Sequence, residues 1–128
     1  MELLTKAEEK VMQILWDLKK GVIHDIIEQM PEPKPPYNTV SSLVRILEKK
    51  EFVGYKAYGK THEYYPLISK LAYRKFVFTN FLANYFDGSP ERVLSFMVKE
   101  ENLNLDDLLK IKVLLENEST NSERDDTL

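Results

Sequence analysis

A predicted helix over residues 37–50 carries the side chains of this chain that are best suited to binding chemistry. Successive residues of a helix are rotated by about 100°, so the face opposite the apolar stripe is hydrogen-bonding and cationic: Asn38, Ser42, Arg45 and Lys49, with Ser41 at its edge. Side chains of these types read base edges in the DNA major groove and neutralise phosphates. Arg45 is the best candidate for reading a base, because a guanidinium can donate two hydrogen bonds to one guanine.

The remaining candidates are suited to the DNA backbone. Thr39 and the two serines of this helix offer short hydrogen-bond donors to phosphate oxygens, and the helix's asparagine suits either an adenine or a phosphate. A second basic site is predicted at Tyr58 and Lys60, in the turn of a β-hairpin just downstream. An ordinary solvated helix has a similar outer face, so this face alone does not distinguish the two interpretations.

Catalytic chemistry is poorly supported by the sequence. His24 and His62 have no nucleophile or metal-ligand spacing around them, and His62 lacks the second histidine of the helical HExxH zinc motif. The chain has no cysteine, which excludes disulfides, thiol catalysis and thiolate metal sites. We therefore expect a protein that is not an enzyme and that needs no cofactor and no metal.

Charge is divided unevenly along the chain. The net charge is −3 over 128 residues, yet residues 34–75 carry nine Lys and Arg against three acids, and residues 76–128 carry five against eleven. A basic half predicts an anionic partner, although an uneven solvated surface explains the same counts.

No apolar run reaches the ~20 residues needed to cross a bilayer, and the N-terminus does not resemble a signal peptide. We expect a cytoplasmic protein without membrane insertion.

Helices and a hairpin must position the candidate residues. A capping box at Thr5 and Glu8 opens a first helix, which is predicted to end at residues 19–21, where Gly21 favours a helix C-terminus. A short helix over 22–30 and a proline-rich loop then precede the helix over 37–50. Two aromatic-rich runs with a glycine turn between them predict a β-hairpin. Three helices followed by a hairpin are the arrangement of a winged helix-turn-helix, so we predict a mainly α fold with a small β-hairpin, whose DNA-binding domain spans residues 1–68.

Residues 69–117 are predicted to form three further helices, over 70–87, from Pro90 onward and over 105–117, followed by a disordered tail at 118–128. These helices are apolar on more faces than one small core can cover, which is typical of an interface. We predict a helical dimerisation region and a homodimer, with contacts from Phe78, Leu82, Phe86, Phe96, Leu105, Leu108 and Leu109. Two alternatives stay open: a larger monomeric core, or a small-molecule pocket lined by aromatic residues of these helices.

Three segments resemble the penicillinase-repressor family of winged-helix regulators, the BlaI/MecI repressors. They are LTKAEEKVMQILW at 4–16, NTVSSLVRILEKKEFV at 38–53 and HEYYPLI at 62–68, and the likeness extends over about residues 3–117. The resemblance implies a transcriptional repressor that binds a palindromic operator in double-stranded DNA as a homodimer with interlocked C-terminal helices. A winged-helix module that binds other proteins and does not read specific DNA is the alternative.

The resemblance also implies a mode of inactivation. In the antibiotic-resistance members, a membrane sensor-metalloprotease detects the drug, and the repressor is then cut at an Asn–Phe bond in its dimerisation region. The corresponding bond here joins Ser95 to Phe96, so serine replaces the asparagine. Glu51 stands where the family usually has glycine, and the proline-rich loop 31–36 also differs. The cysteine motif of the copper-responsive members is absent from this chain.

Overall fold

The computed structural model describes residues 1–101 and 103–120, which form six helices and one two-stranded antiparallel sheet. In chain order the elements are α1 (Lys6–Leu18), α2 (Ile23–Glu28), α3 (Tyr37–Lys49), β1 (Val53–Tyr58), β2 (Thr61–Pro66), α4 (Lys70–Phe86), α5 (Pro90–Glu100) and α6 (Leu105–Thr120). The predicted class, mainly α with a small hairpin, is confirmed. Helix α6 continues three residues past its predicted end, and the rest of the predicted tail, 121–128, lies outside the described residues.

The chain divides into two compact units, residues 1–73 and the described residues from 74 onward. The core of the first unit lies where α1, α2, α3 and the start of β1 meet. Its fully buried side chains are Val11, Met12, Leu15, Ile26, Val40, Val44, Leu47, Phe52 and Val53. Burying one such side chain stabilises the fold by about 1.5–3 kcal/mol. Because three of them recur along one side of α3, this helix must turn its other side to solvent.

The N-terminus of α1 forms the predicted capping box. The Glu8 N–H donates to Thr5 Oγ1 at 3.2 Å, and the Thr5 N–H donates to Glu8 Oε1 at 2.9 Å. The predicted role of Gly21 at the other end is wrong, since α1 ends at Leu18 and the positive φ, 73°, belongs to Lys19. Gly21 instead forms an antiparallel β-bridge with Tyr64.

Two backbone hydrogen bonds of Gly21 join the hairpin to the segment between α1 and α2. The Gly21 N–H donates to the Tyr64 carbonyl at 2.9 Å, and the Tyr64 N–H donates back at 2.8 Å. A side chain here would meet Asp25, because a Cβ built on Gly21 lies 3.2 Å from the Asp25 Cβ. The small residue therefore serves close packing and strand pairing. The segment between α1 and α2 thus forms an isolated antiparallel β-bridge to β2.

A partly buried ion pair links α1 to the end of α3. Lys50 Nζ lies 3.0 Å from both carboxylate oxygens of Glu8. Burial alone raises the pKa of the Glu8 carboxyl. The hydrogen bond from Thr5 and the Lys50 ammonium lower it by more than burial raises it, so the net pKa is below its ordinary value. The pKa of Lys50 is raised by the same contact. Both groups therefore stay charged at neutral pH, and the pair orients α3 on α1.

Helix α3 ends in a Schellman motif. The Phe52 N–H donates to the Leu47 carbonyl at 2.9 Å, and the Glu51 N–H donates to the Glu48 carbonyl at 3.0 Å. This geometry requires a left-handed residue directly after the C-cap Lys50, and Glu51 takes that position with φ 64°. The side chains of Phe52 and Leu47 are both fully buried. The chain therefore turns sharply from α3 into the hairpin.

The second unit has a different character, since none of its described residues over 74–101 and 103–117 is buried. Aromatic rings run from α4 to α5, with Phe81 centred 5.3 Å from Phe86 and Phe86 centred 5.7 Å from Phe96. Its helices begin at polar caps, since Ser89 accepts the Arg92 N–H and Asn104 exchanges hydrogen bonds with Asp107. Local capping thus defines these helices although no buried core surrounds them.

Candidate nucleic-acid interface

Helix α3 exposes the face that the sequence singled out. Asn38, Thr39, Ser42, Arg45 and Lys49 are exposed, and Ser41 is half-buried. The helix begins where the Pro36 carbonyl accepts the N–H groups of Thr39 and Val40. Proline fits this position because its restricted φ is compatible with the extended backbone that precedes a helix. The exposed face is therefore continuous from the first turn of α3 to its last.

Lys34 positions the turn between α2 and α3. Its ammonium lies within hydrogen-bonding distance of three carbonyl oxygens at the end of α2, those of Ile27 at 3.3 Å, Glu28 at 3.0 Å and Met30 at 2.6 Å. The Ile27 carbonyl also accepts the Met30 N–H at 2.9 Å, and a cation at a helix C-terminus is favoured by the helix dipole. Lys34 therefore stabilises the helix-turn-helix, and its charge is already engaged.

The wing, which we define as residues 53–66, projects beside α3. Its strands pair from Val53 opposite Pro66 to Tyr58 opposite Thr61. The two-residue turn has Gly59 at φ 64°, as hairpin turns with a left-handed first residue require. Tyr58 and Lys60 are exposed at the tip, where Lys56 Nζ lies 5.4 Å from the centre of the Tyr58 ring. The tip is thus aromatic and basic.

A groove of about 360 Å³ separates α3 from the wing. It brings three predicted residues together, Ser41 and Arg45 from α3 and Lys60 from the wing. The other predicted residues do not line this groove. Thr39 instead borders an apolar cleft of about 280 Å³ beside the proline-rich loop. The predicted set therefore divides into a groove, an outer helix face and a wing tip.

The groove also contains residues that sequence reasoning missed: Val22, Ile23, His24, Tyr37, Thr61, His62 and Tyr64. One signal was available, because Tyr37, Ser41 and Arg45 are spaced four residues apart and share a helix face. The histidines gave no such signal, since they lie on different elements. Burial raises the pKa of the Tyr64 phenol, so this ring lines the groove in its neutral form.

The charges available at this surface differ from the count along the chain. Lys50 is paired with Glu8, Lys20 lies 3.9 Å from Glu63, and Lys34 is held by carbonyls. By contrast, Arg45, Lys49, Lys56 and Lys60 form no ion pair with any described residue. These four free cations lie on α3 and the wing, where an anionic partner can reach them.

The part of the chain that the structure describes shows neither a metal-ligand cluster nor a membrane-spanning helix. Over the residues that it describes, no group of three or more His, Asp or Glu side chains could hold a metal ion. Within the same part of the chain, no helix is both long and apolar enough to cross a membrane.

Comparison with known proteins identifies the family. The model of the penicillinase repressor family matches residues 4–117. The methicillin resistance regulatory protein MecI of Staphylococcus aureus (strain N315) is 28% identical over 114 residues, which is 88% of this chain and 92% of that protein. The MecI protein of Mammaliicoccus sciuri matches to the same extent. A solved structure described as the CopR repressor is 30% identical, with a TM-score of 0.44, and covers 53% of this chain and 100% of its own.

The family match extends over nearly all of the chain and includes the helix-turn-helix, the wing and the helices that follow. The family consists of regulators and not of catalysts, which agrees with the expectation from the sequence. The chain therefore belongs to the penicillinase repressor family, and it is a transcriptional repressor with a winged-helix DNA-binding fold, not an enzyme.

Proposed function

We propose that this repressor binds a palindromic operator as a homodimer, with α3 in the major groove and the wing along the adjacent DNA backbone. The observation that carries the proposal is the groove that Arg45 of α3 and Lys60 of the wing both line, neither of them in an ion pair with a described residue. In a winged-helix complex, cations of the wing neutralise the phosphates of the DNA backbone while side chains of the recognition helix contact the bases. A cytoplasmic location follows from such a partner.

Individual roles follow from position on α3. We assign base reading to Arg45, which is exposed near the middle of the helix and can form a bidentate contact with guanine. Asn38 lies in the first turn, where recognition helices approach base edges most closely. The remaining candidates, Thr39, Ser41, Ser42, Lys49, Tyr58 and Lys60, are assigned to phosphates.

The second unit supports the homodimer. All the residues predicted to form its interface are exposed or half-buried in the single chain: Phe78, Leu82, Phe86, Phe96, Leu105, Leu108 and Leu109. Soluble monomers rarely present so many large apolar side chains together, and a symmetric copy is the commonest cover for them. A dimer would also present two copies of α3 to half-sites about 34 Å apart.

Binding to DNA is tested by fluorescence anisotropy with a duplex from upstream of the gene itself and a scrambled duplex, over several salt concentrations. Wild type is expected to prefer the native duplex. Arg45→Ala should weaken that binding by about 1–3 kcal/mol, with the loss confined to certain base pairs. Lys60→Ala should weaken both duplexes alike and reduce the salt slope by about 0.9 per lost phosphate contact.

Lys99→Ala is the matched control, because Lys99 is an exposed lysine of α5 outside the proposed interface. Its binding should equal that of wild type. If Arg45→Ala and Lys60→Ala also bind as wild type does, the alternative is favoured, namely a winged-helix module whose partners are proteins.

Dimerisation is tested by sedimentation equilibrium. Leu109→Glu, which places a charge on an apolar side chain that is 51% exposed in the single chain, should shift the protein from dimer to monomer. Lys112→Glu, an exposed position of the same helix, is the control and should remain dimeric. A wild-type protein that sediments as a monomer at tens of micromolar would argue against the homodimer.

Regulation by proteolysis belongs to the same proposal. Ser95 and Phe96 are both exposed, but their peptide bond lies inside α5 (Pro90–Glu100), so a protease must first unwind this helix. A membrane sensor-metalloprotease is the proposed agent. Cutting the dimerisation unit would replace one bivalent binding event by two weak ones, a loss of about 10²–10⁴ in affinity. A chain truncated after Ser95 that bound a palindrome as tightly as the full chain would contradict this.

A further inference from the structure

We infer that His24 and His62 contact a backbone phosphate of the operator from two walls of the groove between α3 and the wing, and that their protonation strengthens DNA binding. The inference rests on the proposed DNA binding and adds two ligand-binding residues to it. It also predicts a dependence on pH that the other proposed contacts do not give, because the Arg and Lys side chains do not titrate near neutrality.

Aromatic contacts hold both imidazoles at the groove. His24, from α2, packs on Tyr37 of α3 with 5.1 Å between ring centres. His62, from β2, stacks on Tyr55 of β1 at 4.2 Å, with the ring planes only 10° apart. Both histidines line the same groove as Arg45. Two separate elements therefore bring an imidazole to one space, and each ring has its orientation restricted by a tyrosine.

The side chains that line the groove with the two imidazoles are cationic or neutral. Neither forms an ion pair with any residue that the structure describes. The charged and titratable groups that share the groove are Arg45, Lys60, Tyr37 and Tyr64, with Tyr55 behind His62. Three acids belong to the elements that form the groove: Asp25 accepts the Val22 N–H, Glu63 lies 3.9 Å from Lys20, and the charge of Glu48 helps to raise the pKa of Tyr64.

This arrangement suits an anion better than a metal or a neutral ligand. Two cations already face the groove, and imidazole is the side chain type that gains a positive charge at mildly acidic pH. A bound phosphate favours the protonated imidazole, because an opposite charge nearby stabilises the charged form. Hydroxyl groups of Ser41 and Thr61 add neutral donors to the same space. A phosphodiester lying between α3 and the wing would meet the two imidazoles, the two hydroxyl groups and Lys60, beside the Arg45 guanidinium that we assign to a base.

The test uses the full chain and takes advantage of its having only two histidines. Operator affinity is measured by anisotropy from pH 5.5 to pH 8.0 at constant ionic strength for wild type, His24→Gln, His62→Gln and the double variant. Wild-type affinity should fall as the pH rises, by about two- to fivefold per histidine in each protomer, the range of an exposed charge pair. Each protonated histidine should add about 0.9 per protomer to the salt slope.

The double variant should bind the operator specifically but with an affinity that is nearly independent of pH. A double variant that keeps the wild-type pH dependence would overturn the inference, and so would a wild type that binds specifically with no pH dependence. If wild type shows no sequence preference at any pH, it is the proposed function that fails, and the inference fails with it.

Imidazole NMR signals of the wild-type protein give a second readout that needs no variant. Adding the duplex should raise the midpoint of both titrations. If inorganic phosphate moves the signals and the duplex does not, the groove is a site for a free phosphate and the inference is wrong.

Discussion

Replacing Glu51 by glycine should stabilise this protein, although it removes a side chain. Glu51 closes the Schellman motif of α3 at φ 64°, and its carboxylate forms no hydrogen bond or ion pair with a described residue. A side chain in the left-handed region costs about 1–2 kcal/mol, because its Cβ crowds the following carbonyl. Glycine avoids that strain at the same backbone conformation.

Part of the gain is offset in the unfolded chain. Glycine makes the unfolded state more flexible, which lowers stability by about 0.4–1 kcal/mol. The expected net increase in the free energy of unfolding is therefore about 0.5–1 kcal/mol. For a unit of 60–100 residues, 1 kcal/mol shifts the Tm by about 4–8 °C, so the melting temperature should rise by about 2–8 °C.

The assay is thermal and urea unfolding followed by circular dichroism, at one protein concentration because a dimer melts in a concentration-dependent way. Glu51→Ala is the matched control: it removes the carboxylate but keeps the Cβ, so it should melt as wild type does. The reasoning is refuted if Glu51→Gly melts at or below wild type. It is equally refuted if Glu51→Ala gains as much, because the Cβ would then not be responsible.

Three further predictions follow from the first unit. Phe52→Ala, at a fully buried position, should cost about 3–5 kcal/mol in urea unfolding, and a loss under 1 kcal/mol would contradict the assigned core. Gly59→Ala should cost about 1–2 kcal/mol, since φ is 64°, and an unchanged melting curve would show that the turn adapts. Glu8 has a pKa below its ordinary value of 4.5 in the folded state, so its stabilisation is present above that value and is lost as the pH falls through the folded-state pKa. As the pH falls below 4.5, the wild type should therefore lose more stability than Glu8→Gln, which retains an acceptor for the cap. Parallel curves would show that the pairing with Lys50 contributes nothing.

Local features of the fold could be predicted from the sequence because they depend on residues close together in the chain. The capping box of Thr5 and Glu8 formed as its spacing indicates. The buried stripe of α3 follows from the period of a helix, and the same period predicts which side chains face solvent. The hairpin follows from two aromatic runs and a turn glycine that adopts a positive φ. Each of these needs only a few neighbouring residues.

Helix ends were less predictable, because packing decides among similar candidates. Both Lys19 and Gly21 lie after α1, and propensity favours glycine for the left-handed position. Strand pairing with Tyr64 requires Gly21 to be extended, so Lys19 takes the positive φ instead. Tyr64 is far away in the chain, and no local pattern contains this contact.

Only the tertiary structure decides which residues form the candidate interface. A count along the chain treats Lys34, Lys50 and Lys60 alike. In the fold, Lys34 contacts carbonyls and Lys50 pairs with Glu8, while Lys60 forms no ion pair with a described residue. The count cannot show this, because an ion pair depends on distances between elements. The sequence by itself determined the helices, the hairpin and the exposed face of α3. The groove, in which His24 and His62 meet the recognition helix, exists only because packing brings together residues that the chain separates.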